Sequence, residues 1–121
     1  MRSDIILVGG GVSVVSIDSL ITDATGLGVA EHEGIIHSLV DARIGVWPSD
    51  YLDEPGFDLA RFDVDIQING YGSARWANII TSHLKRSGVT DLLHLVEDGG
   101  GLFRAENYQP QRADTRELVP A

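Results

Sequence analysis

From Phe62 to Asn69 the chain alternates strictly, with Phe62, Val64, Ile66 and Ile68 on one side and Asp63, Asp65, Gln67 and Asn69 on the other. Period two over that length is the signal of a half-buried strand, one face on a core and the other toward water or a partner. Asn69-Gly70-Tyr71-Gly72 breaks the run, because Asn and Gly tolerate positive φ. Ser73 then supplies an N-cap for a helix. Trp76, Ile80 and Leu84 recur every four residues, with Ala77, Ile79 and His83 alongside, and make one apolar stripe. Lys85 and Arg86 fall in the last turn, where the helix dipole favours cations, and Gly88 is a natural stop. This strand–turn–helix unit constrains the fold more than any other part of the sequence.

A chain of 121 residues makes one domain and can bury roughly two-thirds of its unfolded surface. The absence of cysteine excludes disulfides, thiolate metal sites and thiol nucleophiles, and is compatible with a reducing cytoplasm. The opening MRSDIILVGGG is too short an apolar run for a signal peptide, and no stretch approaches the length of a membrane span.

Around the central unit, Asp4–Val8 and Val12–Ile17 are rich in β-branched residues and flank Gly9-Gly10-Gly11. They read as two strands of a hairpin or as one bulged strand. Leu20–Val29 reads as a loop. Ala30–Ala42 fits a helix with Ile36, Leu39, Val40 and Arg43 on one face, with a strand from Ile35 to Val46 as the alternative. Arg43–Trp47 reads as a short strand ended by Pro48, and Asp50–Asp58 as a polar loop. Leu92–Glu97 and Leu102–Glu106 read as a hairpin around Asp98-Gly99-Gly100-Gly101. The expected class is α/β in the α+β sense: a mixed or antiparallel sheet, with two main helices in a single layer packed on it. Residues 1–108 form that domain, and 109–121 an extended or disordered arm.

Motifs that would announce chemistry fail on spacing. A strand followed by three glycines suggests a dinucleotide fingerprint, but Val14 stands where the third glycine belongs, and VSVVSI favours a strand over the required helix. In His32-Glu33-Gly34-Ile35-Ile36-His37 the histidines are one residue too far apart for a zinc helix, about 140° around the axis. Glu33, His37 and Asp41 would share a solvated helix face instead. His83 and His94 stand alone and read as packing or surface residues. The acids Asp50, Asp53, Glu54, Asp58, Asp63 and Asp65 lack calcium-loop spacing, and no G-x-S-x-G elbow occurs. The sequence therefore points to no enzyme, cofactor or metal.

Charge is unevenly placed. Residues 1–65 carry three arginines against twelve acidic residues, which is the whole net charge of −9, while residues 66–121 balance. An acidic chain is unsuited to nucleic acid, and its acidic surface could face a basic protein or the neutral half of a second copy. Trp76 belongs to the helix stripe and the core, whereas Tyr71, set between glycines in a turn, is the better candidate for a contact surface. The interaction residues so selected are Asp53, Glu54, Asp58, Asp63, Asp65, Tyr71 and Arg75.

The run VDIQINGYGSARWANIITSHLKR resembles a segment of tailed-bacteriophage neck and tail-terminator proteins, through Asp65-Ile66-Gln67, Tyr71-Gly72 and Trp76-Ala77-Asn78-Ile79-Ile80. That resemblance, over Asp65–Arg86, implies a non-enzymatic virion component at the head–tail junction. Such a protein forms a homo-oligomeric ring, commonly a hexamer, against neighbouring virion proteins, and is assembled in the host cytoplasm. The competing class is a small acidic inhibitor, an antitoxin, immunity or anti-defence protein, using Asp50–Asp65 to block a basic active site.

Overall fold

The computed structural model describes residues 3–26, 29–30, 35–53, 58–97 and 103–105. In chain order these form β1 (Ser3–Val8), α1 (Val14–Thr25), β2 (Val29–Ala30), β3 (Ile35–Ser38), β4 (Arg43–Pro48), a 3-10 turn (Leu59–Arg61), β5 (Val64–Asn69), α2 (Ser73–Arg86), β6 (Leu92–Glu97) and β7 (Phe103–Ala105). The strands make a single sheet in the order β2-β3-β4-β5-β1-β6-β7, and every neighbouring pair is antiparallel. Because β5 and β6 both pair with β1, they run the same way, and α2 crosses over β1 to join them.

Both helices lie on one face, so the α+β class and the single helical layer are as the sequence indicates. Ile6 and Val8 of β1, Ile44 and Val46 of β4, and Val64, Ile66 and Ile68 of β5 meet Ile17 and Ile21 of α1 and Ala77, Ile80 and Leu84 of α2. A second, smaller core forms behind the sheet, where Leu59, Phe62 and Tyr51 cover Ile5, Leu7, Leu93 and Leu95. β1 is therefore covered on both sides, which is why Ile5-Ile6-Leu7-Val8 reads as a continuous apolar run rather than an alternating one. No helix among the described residues is long and apolar enough to cross a membrane.

Four expectations are corrected. Val12–Ile17 is not a strand: the chain turns at Gly10 and Gly11 and enters α1, which runs on to Thr25, into the Leu20–Val29 stretch expected to be a loop. Ser13 and Ser16 form a reciprocal capping box, Ser13 Oγ accepting from Ser16 N (3.1 Å) and Ser16 Oγ from Ser13 N (3.2 Å). That cap, together with the buried pair Ile17 and Ile21 at four-residue spacing, outweighs the β-branched composition. The second expected helix, Ala30–Ala42, is replaced by β2, β3 and a tight turn closed by Leu39 N donating to Ala42 O (2.8 Å). The alternative strand reading from Ile35 is the one the structure follows, as a β3–β4 hairpin rather than one strand. Ser73 is not the N-cap of α2; Gly72 holds that position and Ser73 is the first helical residue. Phe62 precedes β5 and packs in the smaller core, not beside Val64. The Asp98–Gly101 turn, Glu54, His32, Glu33 and the arm from residue 109 lie outside the described residues.

Candidate functional site

At one end of the sheet the β3–β4 turn and the β5–α2 turn are locked together by Asp41. Its backbone oxygen accepts from Gly72 N (2.8 Å). Its carboxylate accepts from Trp76 Nε1 (2.9 Å) and Arg75 Nη2 (2.6 Å), and the Arg75 guanidinium lies over the Trp76 ring, 4.9 Å from its centre. The Trp76 indole N–H and then Arg75 hold the Asp41 carboxyl below its ordinary range. The helical-face role expected for Asp41 beside Glu33 and His37 is thus replaced by a turn role.

This lock fixes two bare apolar side chains at the surface. Val40 and Tyr71 are fully exposed, at 108% and 100%. An exposed aromatic on a rigid turn loses little conformational entropy when it is covered, and so suits a contact point. Gly70 makes the close approach of the two turns achievable: its φ is +124°, and a Cβ there would fall 2.6 Å from Asp41 O and 2.9 Å from Ala42 Cα. Gly70→Ala should cost about 2 kcal/mol or more in a urea melt. Gly88→Ala, at φ +90° with open space around it, should cost only about 1 kcal/mol and serves as the comparison.

The acidic residues gather at the opposite end, but largely on the chain's own donors. Asp53 Oδ1 accepts from Ala60 N (2.8 Å), Asp63 Oδ2 from Gly11 N (2.9 Å), and Asp58 Oδ2 from Arg61 Nε (3.0 Å). Arg61 also pairs with Asp91 and lies 4.1 Å over the Phe62 ring. Burial alone would lower the Arg61 pKa, but Asp91 and Asp58 raise it. The strand–glycine–helix order of a dinucleotide motif is present, against expectation, but both neighbours of β1 are antiparallel, Val14 replaces the third glycine, and the Asp63 carboxylate occupies the Gly11 N–H.

Two aspartate–histidine pairs are wholly or partly buried, one tying α1 to β3 and the other joining β1 to β6. His37 of β3, expected on a helix face, is fully buried, and its Nε2 lies 2.5 Å from Asp18 Oδ1 of α1. Under the start of α2, Asp4 of β1 accepts from Ser73 Oγ (2.8 Å) and His94 Nε2 (2.7 Å), all three residues being buried. The carboxylate stands between hydroxyl and imidazole, so the imidazole does not take the proton of Ser73 as a hydrolase base must. Neither aspartate was selected from the sequence. A charged residue as the second member of an apolar strand was the available signal for Asp4.

Asp65 departs from its expected place on a solvated strand face. It is 4% exposed, flanked by Leu7 of β1 and Trp47 of β4. Oδ2 accepts from Gln67 Nε2 (2.8 Å), while Oδ1 is buried without a partner among the described residues. Burial pushes its pKa up to about 6, against the Gln67 bond, with nearby Asp50 adding to the rise. Of the residues selected from sequence, Tyr71 and Arg75 come together at one end, and Asp53, Asp58 and Asp63 at the other, with Asp65 enclosed between them.

No group of three or more metal-ligating side chains occurs among the described residues. No protein-family model, curated protein or solved structure matches the chain.

Proposed function

We propose that the chain is a non-enzymatic structural subunit that assembles with copies of itself. The observation that supports this most is the pair of fully exposed side chains, Val40 and Tyr71, held on two turns that Asp41 locks together. A monomer gains nothing by displaying an aromatic ring so rigidly, whereas an interface gains a pre-set anchor. Arg75, 59% exposed beside Tyr71, adds a cation at this end, and the acids Asp50, Asp53, Asp58 and Asp63 lie at the far end of the strands. A head-to-tail contact would place the first set near the second set of the next copy, and such heterologous contacts make a ring where the rotation between copies closes. The resemblance over Asp65–Arg86 suggests the setting: a ring at the head–tail junction of a tailed phage, as neck or tail terminator.

The inhibitor reading rests on the acids alone, and Asp53, Asp58 and Asp63 are already bonded within the chain, whereas the assembly reading rests first on the unbonded apolar anchors Val40 and Tyr71. Sedimentation velocity tests the assembly reading. Tyr71→Ser and Val40→Ser together should weaken self-association by about a hundredfold, roughly two anchors' worth. They should leave the thermal melt in place, since neither side chain is buried. Unchanged association would remove the two turns from the interface.

A further inference from the structure

The face of the sheet opposite the helices is covered over β1 and β6 but open over β4 and β5. There Arg43, Gly45, Trp47, Gln67 and Asn69 line a groove of about 350 Å³, within the range of small-molecule sites. Its floor is Gly45, where a Cβ would fall 2.6 Å from Trp47 Nε1, so the indole folds down along the strand. At one end stands Arg43, exposed and without an ion pair among the described residues. Beyond the other end, outside the lining and covered by the Gln67 amide, lies the 4% exposed Asp65 carboxylate, one of whose oxygens is buried and unpartnered among the described residues. Ser49 Oγ, just past the end of β4, is another buried side-chain atom without a partner among the described residues. Buried carboxylates normally satisfy both oxygens, so the orphaned one calls for a donor.

We propose that this groove binds a basic amino acid, with the ligand's guanidinium or ammonium on Asp65 and its carboxylate on Arg43. Arg43 and Trp47 are four residues apart along β4, about 13 Å at the backbone. Arg43 reaches into that span from one end, and an extended arginine or lysine fills the remainder. The ligand's cation replaces the Gln67 amide as the donor to Asp65; a charged donor on a carboxylate bonds roughly twice as strongly as a neutral one. The Trp47 ring flanks the cation's path and adds a cation–π contact. Its Arg43–Asn69 end adjoins the turns that carry Val40 and Tyr71, and binding of the amino acid does not require assembly.

Proton linkage gives the site a signature. Asp65 must be ionised to hold the cation, and its carboxyl titrates near 6, so affinity should fall as pH drops through that value. The groups facing Asp65 are Gln67 on its own strand, Leu7 from β1, Trp47 from β4 and the charged Asp50 that follows β4. Asp50 is the other acid whose titration could contribute.

Calorimetric titration of the full chain with L-arginine at neutral pH tests the proposal, using L-citrulline to remove the cation and agmatine to remove the carboxylate. Arginine should bind about tenfold tighter than either. Asp65→Asn should reduce arginine affinity about tenfold and leave citrulline unchanged, and Arg43→Gln should weaken arginine and leave agmatine unchanged. Both variants should retain a cooperative melt, Asp65→Asn because it is isosteric and Arg43→Gln because the side chain is exposed. Arginine binding no tighter than citrulline, no binding at all, or affinity indifferent to Asp65→Asn would overturn the proposal. Ser49 Oγ and Asp65 Oδ1 would then be satisfied by a buried water.

Discussion

Asp4→Ala is expected to cost about 3–5 kcal/mol, enough to unfold much of a population whose total stability is of order 5–15 kcal/mol. Asp4 is wholly buried in the central strand, and its carboxylate is the acceptor for a hydroxyl from the first turn of α2 and an imidazole from β6. Alanine removes the acceptor and leaves Ser73 Oγ and His94 Nε2 enclosed without it. An unmet buried donor costs more than the bond itself contributes. Asp4→Asn retains one acceptor oxygen and should fall between alanine and the parent. Urea melts check the order, with an unchanged m-value showing that the loss is one of stability rather than of compactness. A loss below about 1 kcal/mol for Asp4→Ala would mean that the trio is not the tie between α2 and the sheet.

Asp65→Asn is expected to do the opposite and stabilise the fold by about 2–3 kcal/mol at pH 7. The carboxyl has a pKa raised from 3.8 to about 6, so the folded state resists its ionisation. Below 3.8 the group is protonated in both folded and unfolded chains and carries no penalty. As pH rises through 6 the folded protein must accept a buried charge, and stability is lost. The gain from asparagine should therefore be largest near neutrality, shrink between pH 6 and 4, and vanish below that. Taking the difference between parent and variant removes carboxyls such as Asp41, whose lowered pKa gives the reverse dependence: stability present above the unfolded value and lost on acidification. Thermal melts across that range would show a rise of roughly 5–10 °C at neutral pH. A destabilised variant at pH 7 would mean that the charge is compensated in the folded state.

These two aspartates mark what was legible in the sequence. β4, β5, α2 and β6 are written locally: alternation sets the strand faces, Pro48 ends β4, Gly88 follows α2, and the stripe Trp76, Ile80, Leu84 sets the helix face. Tyr71 and Arg75 were selected because a turn between strand and helix must lie at the surface. α1 was missed because its residues are β-branched; its determinants are a serine–serine cap and burial under β4, the first short-range but easily overlooked, the second invisible to a local pattern. β3 was read as helix because Ile36, Leu39 and Val40 fit either period; pairing with β4 decides it. Asp65 looked like a solvated residue because alternation assigns a face but not what encloses it, and its cross-strand neighbours Leu7 and Trp47 come from other parts of the chain. The Asp4–His94 and Asp18–His37 pairs join residues 90 and 19 positions apart, so spacing carries no trace of them.

Self-assembly through the turns that carry Val40 and Tyr71 sets the mass of the particle in solution. Light scattering coupled to size exclusion, run over a wide range of loading concentrations, should give a discrete species several times the 13.1 kDa chain mass. The Val40→Ser, Tyr71→Ser variant should collapse that species to the single-chain mass. A parent chain that elutes at 13.1 kDa at every concentration, or a multimer untouched by the double substitution, would contradict the account.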